Sequence, residues 1–398
     1  MVTGAPVDVV MIGGGVIGLT AAWAAASAGM TVTVVDRDPG HGASWAAAGM
    51  LAPVGEAQFG EEQLTALNVQ AARAWPIFAH ELEADTGQSV GYRTDGTLLV
   101  AVDGSDRAAT DDVLSFQHEL GLPASRLSSR ECRASEPLLA PGIRGGVELV
   151  DDHQVDNRRL VDALMAACTA QGVHFSADEV SEVSLERERV AGVVLRLGDR
   201  ITAGSVVLAA GSRSGQVGGL LEAQRPPVRP VKGLTMRLRA TDGAPALRRT
   251  VRGLVHGRSC YLVPRQDRTL VIGATVEEKG FDTSIQIGPV SDLLNDARTL
   301  VPSIEEYELI DTTVGLRPGS PDNAPIVGST EVGGLIVATG HFRHGILLAP
   351  ITALEVVRLL QGGAGDTGLF GPFGPGRFRP GRVPAGPAPV AIQRTAVR

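Results

Sequence analysis

The feature that most constrains the fold is a glycine-rich turn near the start of the chain. Gly13-Gly14-Gly15-Val16-Ile17-Gly18 fits the pattern GxGxxG. A Val/Ile-rich run over residues 7–12 precedes it, as expected for a strand buried on both faces. An Ala-rich helical stretch over 16–28 follows, and a second β-branched run ends at Asp36, 18 residues after Gly18. This order predicts a β-turn-α-β unit that binds a dinucleotide.

Each glycine of such a turn, and the acidic residue after the second strand, has a physical task. Gly13 makes the tight turn, Gly15 lets the backbone approach a pyrophosphate, and Gly18 lets the helix pack closely on the strand. The helix N-terminus then receives the phosphates, and Asp36 accepts hydrogen bonds from an adenosine ribose. The pattern alone leaves open whether the ligand is FAD or NAD, and a plain turn without ligand is the alternative.

Composition excludes several classes of protein. The 398 residues suggest roughly two domains. Hydrophobic residues make up 43% and charged residues 20%, which excludes global disorder. The net charge of -8 disfavours binding to nucleic-acid backbones. Cys132, Cys168 and Cys260 are far apart, so we expect neither disulfide nor zinc site, and a reducing compartment fits.

Two apolar stretches could be mistaken for membrane or export signals. Residues 7–30 contain five glycines, and no Lys or Arg precedes Arg37. Residues 335–350 carry His341, Arg343 and His344 in their middle. We therefore expect a cytoplasmic protein with no membrane or nucleic-acid partner.

Periodicity predicts alternating helices and strands along the chain. Residues 173–176, 182–186, 190–197 and 200–203 are predicted as short antiparallel strands, and 235–275 as a second β-rich region. The Pro-rich stretch 372–398 is predicted to be an extended, disordered tail. Further helices are predicted at 57–86, 108–120, 158–171, 292–300 and 346–360, and further strands at 97–102, 206–210 and 335–338.

Three segments resemble the FAD-dependent D-amino-acid oxidase superfamily. They are Gly42-Ala43-Ser44-Trp45-Ala46-Ala47-Ala48-Gly49-Met50, the strand 206–210 ending in Gly211, and the loop 340–350 with its Gly-His-Phe-Arg-His-Gly sequence. Within that superfamily, residues 46–51, 230–233, 260–265 and 315–319 resemble the glycine oxidases of thiamine biosynthesis. The likeness covers about residues 7–362.

The resemblance implies an α/β fold for the cofactor domain, and an α+β class for the chain taken overall. A Rossmann-like two-dinucleotide-binding FAD domain would be interleaved with an antiparallel-sheet substrate domain. The expected FAD domain comprises 1–88, 147–222 and 311–363. The expected substrate domain comprises 89–146 and 223–310, and 364–398 would be the tail.

The resemblance also implies which residues contact FAD. The flavin is expected to be held non-covalently, because no Cys follows Cys260. The helix beginning near Ile346 would direct its dipole at the N1/C2=O side of the reduced flavin. The expected contacts are Gly13, Gly15, Val16, Ile17, Gly18, Asp36, Arg37, Ala43, Ser44, Ala48, Gly49, Met50, Val180, Gly211, His341, Phe342, Arg343, His344, Gly345, Ile346 and Leu347.

Four residues are expected at the substrate by the same resemblance. Arg317 would bind the substrate carboxylate, for which its planar fork is suited. Tyr261 would donate a hydrogen bond to it, Arg343 would be a second arginine on the substrate side, and Met50 would form the pocket wall. Without the resemblance, Arg317 reads as a turn arginine and Tyr261 as a packing residue.

One position departs from the family pattern. Ser259 stands where glycine oxidases carry a His two residues before the tyrosine, and His256 is a possible substitute. The role of Lys232 is left open. His341 and His344 lack a further ligand for a metal site. The acid pairs Glu61-Glu62 and Asp151-Asp152 are expected to face solvent, without an acid/base role.

The implied activity is oxidation of glycine, or of sarcosine or D-alanine, to the 2-oxo acid, ammonia and hydrogen peroxide by hydride transfer to flavin N5. Oxygen would be the acceptor, the product imine would serve the thiazole ring of thiamine, and the protein would be a homotetramer. The alternatives are a D-amino-acid or sarcosine oxidase, a dehydrogenase of the same fold, or a non-catalytic flavin- or NAD-binding protein.

Overall fold

The computed structural model describes residues 5–363 and 368–378 of the chain. Its strands are β1 (Val7–Ile12), β2 (Val32–Val35), β3 (Met50–Leu51), β4 (Thr97–Ala101), β5 (Ala124–Leu127), β6 (Gly146–Leu149), β7 (His153–Gln154), β8 (His174–Ser176), β9 (Val180–Glu186), β10 (Arg189–Leu195), β11 (Arg200–Leu208), β12 (Arg229–Ala240), β13 (Thr250–Val255), β14 (Arg258–Pro264), β15 (Thr269–Gly273), β16 (Tyr307–Gly319), β17 (Ile326–Ser329) and β18 (Leu335–Thr339). Its α-helices are α1 (Val16–Ser27), α2 (Ala43–Ala46), α3 (Glu62–Thr86), α4 (Gly104–Glu119), α5 (Ser129–Ser135), α6 (Asn157–Ala170), α7 (Ile287–Leu300) and α8 (Gly345–Leu360).

The first large sheet has the strand order β17-β18-β11-β1-β2-β8. β1 pairs in parallel with both β2 and β11, and β11 pairs in parallel with β18. The carboxyl ends of these strands therefore meet at one edge of the sheet. The residues that follow the strands at that edge are Gly13, Asp36, Ala209 and Gly340.

Two strand predictions for this sheet were wrong. The runs 200–203 and 206–210 belong to one strand, β11, which continues from the β9-β10 hairpin into the parallel sheet. The predicted antiparallel strand 173–176 is β8, which pairs in parallel with β2. Helix α6 precedes β8 and makes a crossover connection, and such a crossover delivers its strand in parallel.

The second large sheet has the order β16-β12-β15-β14-β13-β4-β6-β5 and is antiparallel except for the β4-β13 pair. Leu234, Met236 and Leu238 of β12 pack in a core with Leu293 and Leu300 of α7. Because strand side chains alternate, the intervening residues of β12 face the other way, toward the first sheet. The hydrogen bond from Thr235 Oγ1 to the Ala46 carbonyl, 2.8 Å, joins the two units on that side.

Helices α1, α3, α6 and α8 share the largest core with the first sheet. Trp75 of α3 is fully buried there and donates from Nε1 to the Leu347 carbonyl at 2.9 Å. No helix in the described ranges is both long and apolar enough to cross a membrane.

The segment 368–378 differs from the expected extended tail. Phe370 and Phe373 are buried in the same core, and Arg377 forms an ion pair with Asp322 at 2.8 Å. Aromatic side chains amid the glycines and prolines supply the buried surface. The remainder of the predicted tail, residues 364–367 and 379–398, lies outside the described residues. The predicted domain limits stay a prediction, although 147 and 311 fall within β6 and β16 of the second sheet.

Candidate active site

One cavity of about 570 Å³ runs between the two sheets. That volume falls in the usual range for sites of small molecules and cofactors. Of the residues predicted to bind cofactor or substrate, all but Gly18 line this cavity, from the glycine-rich turn at one end to Tyr261 and Arg317 at the other.

The glycine-rich turn has no room for a side chain at Gly13 or Gly18, because another part of the backbone passes close to each of them. Gly13 has a φ of 109°, and a Cβ there would lie 2.4 Å from the Ala209 carbonyl oxygen. A Cβ on Gly18 would lie 1.9 Å from the Gly13 carbonyl oxygen. Gly18 therefore stands behind the cavity, where it lets α1 approach β1, and the N-terminus of α1 opens onto the cavity.

Asp36 is fixed beside this turn. Its Oδ2 accepts from Gly14 N at 2.7 Å and its Oδ1 from Asp38 N at 2.9 Å. Arg37 next to it pairs with Glu179 at 3.7 Å. A carboxylate held by backbone amides at the end of the second strand fits the binding of an adenosine ribose.

The small-residue segment 42–50 is held against the cavity by buried polar side chains. Ser44 Oγ accepts from Val16 N at 2.9 Å. Asn157 Nδ2 donates to the carbonyl of Ser44 at 2.8 Å, and Arg265 Nη2 donates to that of Ala48 at 2.6 Å. Because these hydrogen bonds hold the backbone of the segment 42–50, its small side chains stay at the cavity surface. The shape of this surface fits an extended dinucleotide.

The loop 341–345 carries two buried histidines. His341 Nε2 lies 3.1 Å from Thr352 Oγ1, and His344 Nδ1 lies 3.3 Å from Asn68 Nδ2. Burial lowers the pKa of His341 to about 3 and that of His344 to about 4, so both rings are neutral at pH 7. Helix α8 begins at Gly345, and its positive N-terminal end faces the cavity lined by these residues.

Arg317 and Tyr261 lie at the end of the cavity opposite the glycine-rich turn, and the side chain of each crosses a glycine of a neighbouring strand. A Cβ on Gly233 would lie 2.1 Å from Arg317 Nη1, and a Cβ on Gly273 would lie 2.3 Å from the Tyr261 hydroxyl. The two glycines thus make room for the guanidinium and the phenol. Burial raises the pKa of Tyr261 to about 12, so its hydroxyl is protonated and can donate.

Arg317 keeps donors available for a ligand. Its Nη1 donates to the Thr275 carbonyl at 3.0 Å and to the Lys232 carbonyl at 3.5 Å. Across the described chain, no carboxylate lies within ion-pair distance of it. A fixed guanidinium facing a cavity without a protein counter-ion can bind an anionic group of a ligand.

Arg343 also lines the cavity, but its guanidinium already interacts with protein groups. Its Nε lies 3.3 Å from Glu56 Oε2, and its Nη1 donates to Gln58 at 2.9 Å with the amide oriented so that the oxygen faces the guanidinium. Glu56 Oε1 is 2.7 Å from Arg252 Nη2 as well. Burial would raise the pKa of Glu56, but Arg252 and Arg343 lower it to about 2, so the carboxylate is charged.

Several residues singled out from the sequence lie elsewhere. Ser259 is exposed on β14, outside the cavity lining, and His256 is exposed in the turn after β13, where its Nδ1 pairs with Asp103 at 2.9 Å. His256 therefore does not substitute for the histidine of the family pattern. Buried Lys232 donates to the Ser284 carbonyl at 2.5 Å and pairs with Asp282 at 3.2 Å.

The acids of the pairs Glu61-Glu62 and Asp151-Asp152 were expected to face solvent, and for Asp152 this expectation was wrong. Asp151 is exposed, whereas Asp152 is fully buried and accepts from Val54 N at 2.9 Å and Gly55 N at 2.8 Å. Glu61 is half-buried and accepts from Asn323 Nδ2 at 2.8 Å. Neighbouring residues of a turn can point to opposite sides, which adjacency in sequence does not reveal.

The sequence reading missed Glu56, Arg252 and Arg265. Glu56 offered one signal, a lone acid within the apolar stretch 46–57. Arg252 offered none, since it stands in an ordinary strand sequence, and Arg265 was visible only as the last residue of the stretch 260–265 that resembles the family, without a role attached. A further group of possible metal ligands, Asp103, Asp106 and His256, is already hydrogen-bonded to neighbouring residues.

Comparison with known proteins agrees with this architecture. A family model described as FAD dependent oxidoreductase matches residues 8–359. The bifunctional protein ThiO/ThiG of Trichormus variabilis is 35% identical over 348 residues, which cover 87% of this chain and 51% of the relative. The glycine oxidase of Geobacillus kaustophilus is 34% identical over 358 residues, covering 89% and 93%.

A solved structure shows the same fold. The crystal structure of glycine oxidase from Geobacillus kaustophilus matches with a TM-score of 0.84 at 32% identity, covering 93% of this chain and 98% of that one. The chain spans about half the length of the bifunctional relatives that it matches.

Proposed function

The chain belongs to the family of FAD-dependent oxidoreductases, and on this premise we propose that it oxidises glycine, with sarcosine and D-alanine as further small substrates. The reaction consumes glycine, oxygen and water and yields glyoxylate, ammonia and hydrogen peroxide. The relatives named ThiO and glycine oxidase support both the amine substrate and a role in supplying the glycine-derived imine for the thiazole ring of thiamine.

The observation that carries the proposal is the pairing of Arg317 with Tyr261 in the cavity. Arg317 faces it with no protein carboxylate among its described neighbours, and the Tyr261 hydroxyl is a protonated donor. A guanidinium and a phenol directed at one place bind a carboxylate and fix its orientation. A short amino acid bound in this way keeps its α-carbon close to the carboxylate anchor.

The protein's contribution to the reaction is orientation and charge. Bound FAD supplies the two-electron acceptor that takes the hydride of the substrate α-carbon. Arg317 and Tyr261 hold the carboxylate, so the α-C–H bond keeps a constant direction. The amine enters as the free base, and the buried rings of His341 and His344 are neutral, so they add no positive charge to the cavity lining. The N-terminus of α8 stabilises negative charge that develops at its end of the cavity.

The residues that would hold FAD form a continuous path. We assign the pyrophosphate to the turn at Gly13 and Gly15, the ribose to Asp36, and the flavin to the segment 43–50 and the loop 341–347. The held backbone of these segments and the absence of room for side chains at Gly13 support that assignment. We expect a non-covalent cofactor, a cytoplasmic enzyme and a homotetramer.

The competing assignments are a D-amino-acid or sarcosine oxidase and a dehydrogenase that passes electrons to another acceptor. The deciding experiment follows the visible spectrum of the purified holoenzyme when glycine is added without oxygen. Bleaching near ~450 nm, reversed by air with formation of peroxide, is the expected result. Bleaching by sarcosine or D-alanine but not glycine would move the substrate assignment, and bleaching that air fails to reverse would favour the dehydrogenase.

A further inference from the structure

The substrate end of the cavity holds more positive than negative charge. Arg317 and Arg343 line it, and Arg252 lies behind them on β13. In the described part of the chain, Glu56 is the one carboxylate within 4 Å of any of these three guanidinium groups. Arg252, Arg317, Arg343 and Glu56 thus form a group of three cations and one anion at this end of the pocket, which we call the Glu56 cluster.

Glu56 gives the two arginines of the cavity different tasks. It forms ion pairs with Arg252 at 2.7 Å and with Arg343 at 3.3 Å, and Gln58 accepts a hydrogen bond from Arg343 when its amide oxygen is oriented toward the guanidinium. Arg343 is therefore ion-paired with Glu56, although its Nε makes no hydrogen bond to the described residues, whereas Arg317 donates to backbone carbonyls with one nitrogen only. One guanidinium remains available for a ligand carboxylate, and the other is neutralised.

We propose that Glu56 determines specificity: it restricts the pocket to amines that carry a single carboxylate, and neutralising it admits amines with two, such as iminodiacetate. This inference rests on the proposed function, since it takes the first carboxylate to lie on Arg317. It names Arg343, released from Glu56, as the group that would bind the second carboxylate.

The charges of the Glu56 cluster give the reason. A second carboxylate would have to lie against Glu56, whose like charge repels it, or displace Glu56 from Arg343. Three nitrogens of the cluster are buried without hydrogen-bond partners among the described residues: Arg252 Nε, Arg252 Nη1 and Arg343 Nε. The cluster therefore has spare donors, and loss of the Glu56 charge leaves two guanidinium groups that attract an anion.

Glu56 is also fixed in place from behind. The turn that precedes it is held by Asp152, through Val54 N at 2.9 Å and Gly55 N at 2.8 Å, and by Gln117 Nε2, which donates to the Val54 carbonyl at 3.1 Å. A Cβ on Gly55 would lie 2.4 Å from Asp152 Oδ2. Since the turn cannot move without breaking these contacts, Glu56 stays on Arg343, and Asp152 acts as a positioning residue.

The test compares two ligands on the FAD-loaded enzyme. Methoxyacetate and oxydiacetate carry an ether oxygen where sarcosine and iminodiacetate carry the amine, so they bind without being oxidised as amines. Dissociation constants come from the change in flavin absorbance on titration. The wild-type enzyme should bind oxydiacetate no more tightly than methoxyacetate. Glu56→Gln should tighten oxydiacetate relative to methoxyacetate by roughly ten- to hundredfold, as expected for a charge-assisted hydrogen bond.

Two further variants make the result specific. The matched control Glu305→Gln removes a carboxylate that pairs with Arg298 at 3.1 Å on the surface, and it should change neither constant. The double variant Glu56→Gln, Arg343→Met should lose the gain for oxydiacetate. If Glu56→Gln fails to retain FAD, Glu56→Ala takes its place in the same titrations, because it also removes the carboxylate charge and should tighten oxydiacetate relative to methoxyacetate.

Three outcomes would overturn the proposal: tighter binding of oxydiacetate by the wild type, an equal effect of Glu56→Gln on both ligands, or a gain for oxydiacetate that persists in the double variant. Failure of the proposed function is read separately, from the absence of bleaching by glycine in the wild type. The ligand titrations do not depend on turnover, so each result stands by itself.

Discussion

Replacing Gly233 with alanine tests the proposed role of Arg317 without removing the arginine. Gly233 lies on β12, which pairs with β16 on one side and β15 on the other. An added Cβ would lie 2.1 Å from Arg317 Nη1 and 2.4 Å from Cζ. Because β12 is held by both neighbours, the guanidinium at the end of its flexible side chain must move instead of the strand.

The size of that movement follows from the geometry. An ordinary contact requires a separation of about 3.5 Å, so Nη1 has to move by about 1.4 Å. A misplacement of about 1 Å in a positioning group can reduce catalysis about a hundredfold. We therefore expect kcat/KM for glycine to fall by roughly a hundredfold, chiefly through KM, while the strand pairing and the cofactor segments stay as they are.

The assay measures initial rates of peroxide formation over a range of glycine concentrations, together with the flavin content of each preparation. Gly204→Ala is the matched control, because Gly204 is also a strand glycine and its Cβ would meet its nearest atom, the Asp8 carbonyl oxygen, at 3.5 Å. The control should retain wild-type KM and flavin content.

A double variant distinguishes the displacement of Arg317 from any other effect of the added methyl group. In an Arg317→Ala background, Gly233→Ala should have no further effect, because the group it displaces is gone. If Gly233→Ala leaves KM within threefold of the wild type at full flavin content, Arg317 does not anchor the carboxylate. Equal, additive losses in both backgrounds would refute the reasoning as well.

Four further predictions concern the same site. Arg317→Ala should raise KM for glycine tens- to hundreds-fold, since a charge-assisted bidentate pair contributes roughly 2–4 kcal/mol; unchanged KM in steady-state kinetics would contradict it. Asp36→Ala should purify with less FAD by absorbance, and full yellow colour would count against the ribose contact. Acid precipitation should leave the flavin in the supernatant, whereas colour in the pellet would indicate a covalent bond. Burial raises the pKa of Asp152 to about 7, so the free energy of unfolding should fall by up to about 4 kcal/mol as pH rises from about 4 to above 7. Asp152→Asn should remove that part of the pH dependence in urea unfolding, and an unaltered profile would show that Asp152 does not titrate there.

The dinucleotide end of the cavity could be predicted from the sequence because its geometry is local. The turn at Gly13, the helix after it and Asp36 lie within a single β-turn-α-β unit, where spacing along the chain fixes spacing in space. The antiparallel assignment of 173–176 failed because pairing partners of a short strand depend on the whole sheet, which local periodicity does not report.

The substrate end depends on contacts between distant parts of the chain. Arg317 on β16 crosses Gly233 on β12, and Tyr261 on β14 crosses Gly273 on β15, so each functional side chain requires a glycine in a neighbouring strand. Only the register of the second sheet brings these pairs together. A resemblance to known motifs could point to Arg317 and Tyr261, but their glycine partners had no visible role in the sequence.

Glu56 is the clearest example of a site residue whose role the sequence pattern alone does not reveal. Its neighbours in sequence are apolar, and an acid in such a stretch reads as a surface residue of a turn. Its role comes from Arg252 of one sheet and Arg343 beside the other, each of which pairs with a different oxygen of its carboxylate, and from Asp152, nearly 100 residues away. A buried carboxylate remains charged only when cations of this kind surround it. The charge state of Glu56, and with it the number of carboxylates that the pocket can accept, is therefore set by the packing of the two sheets against each other.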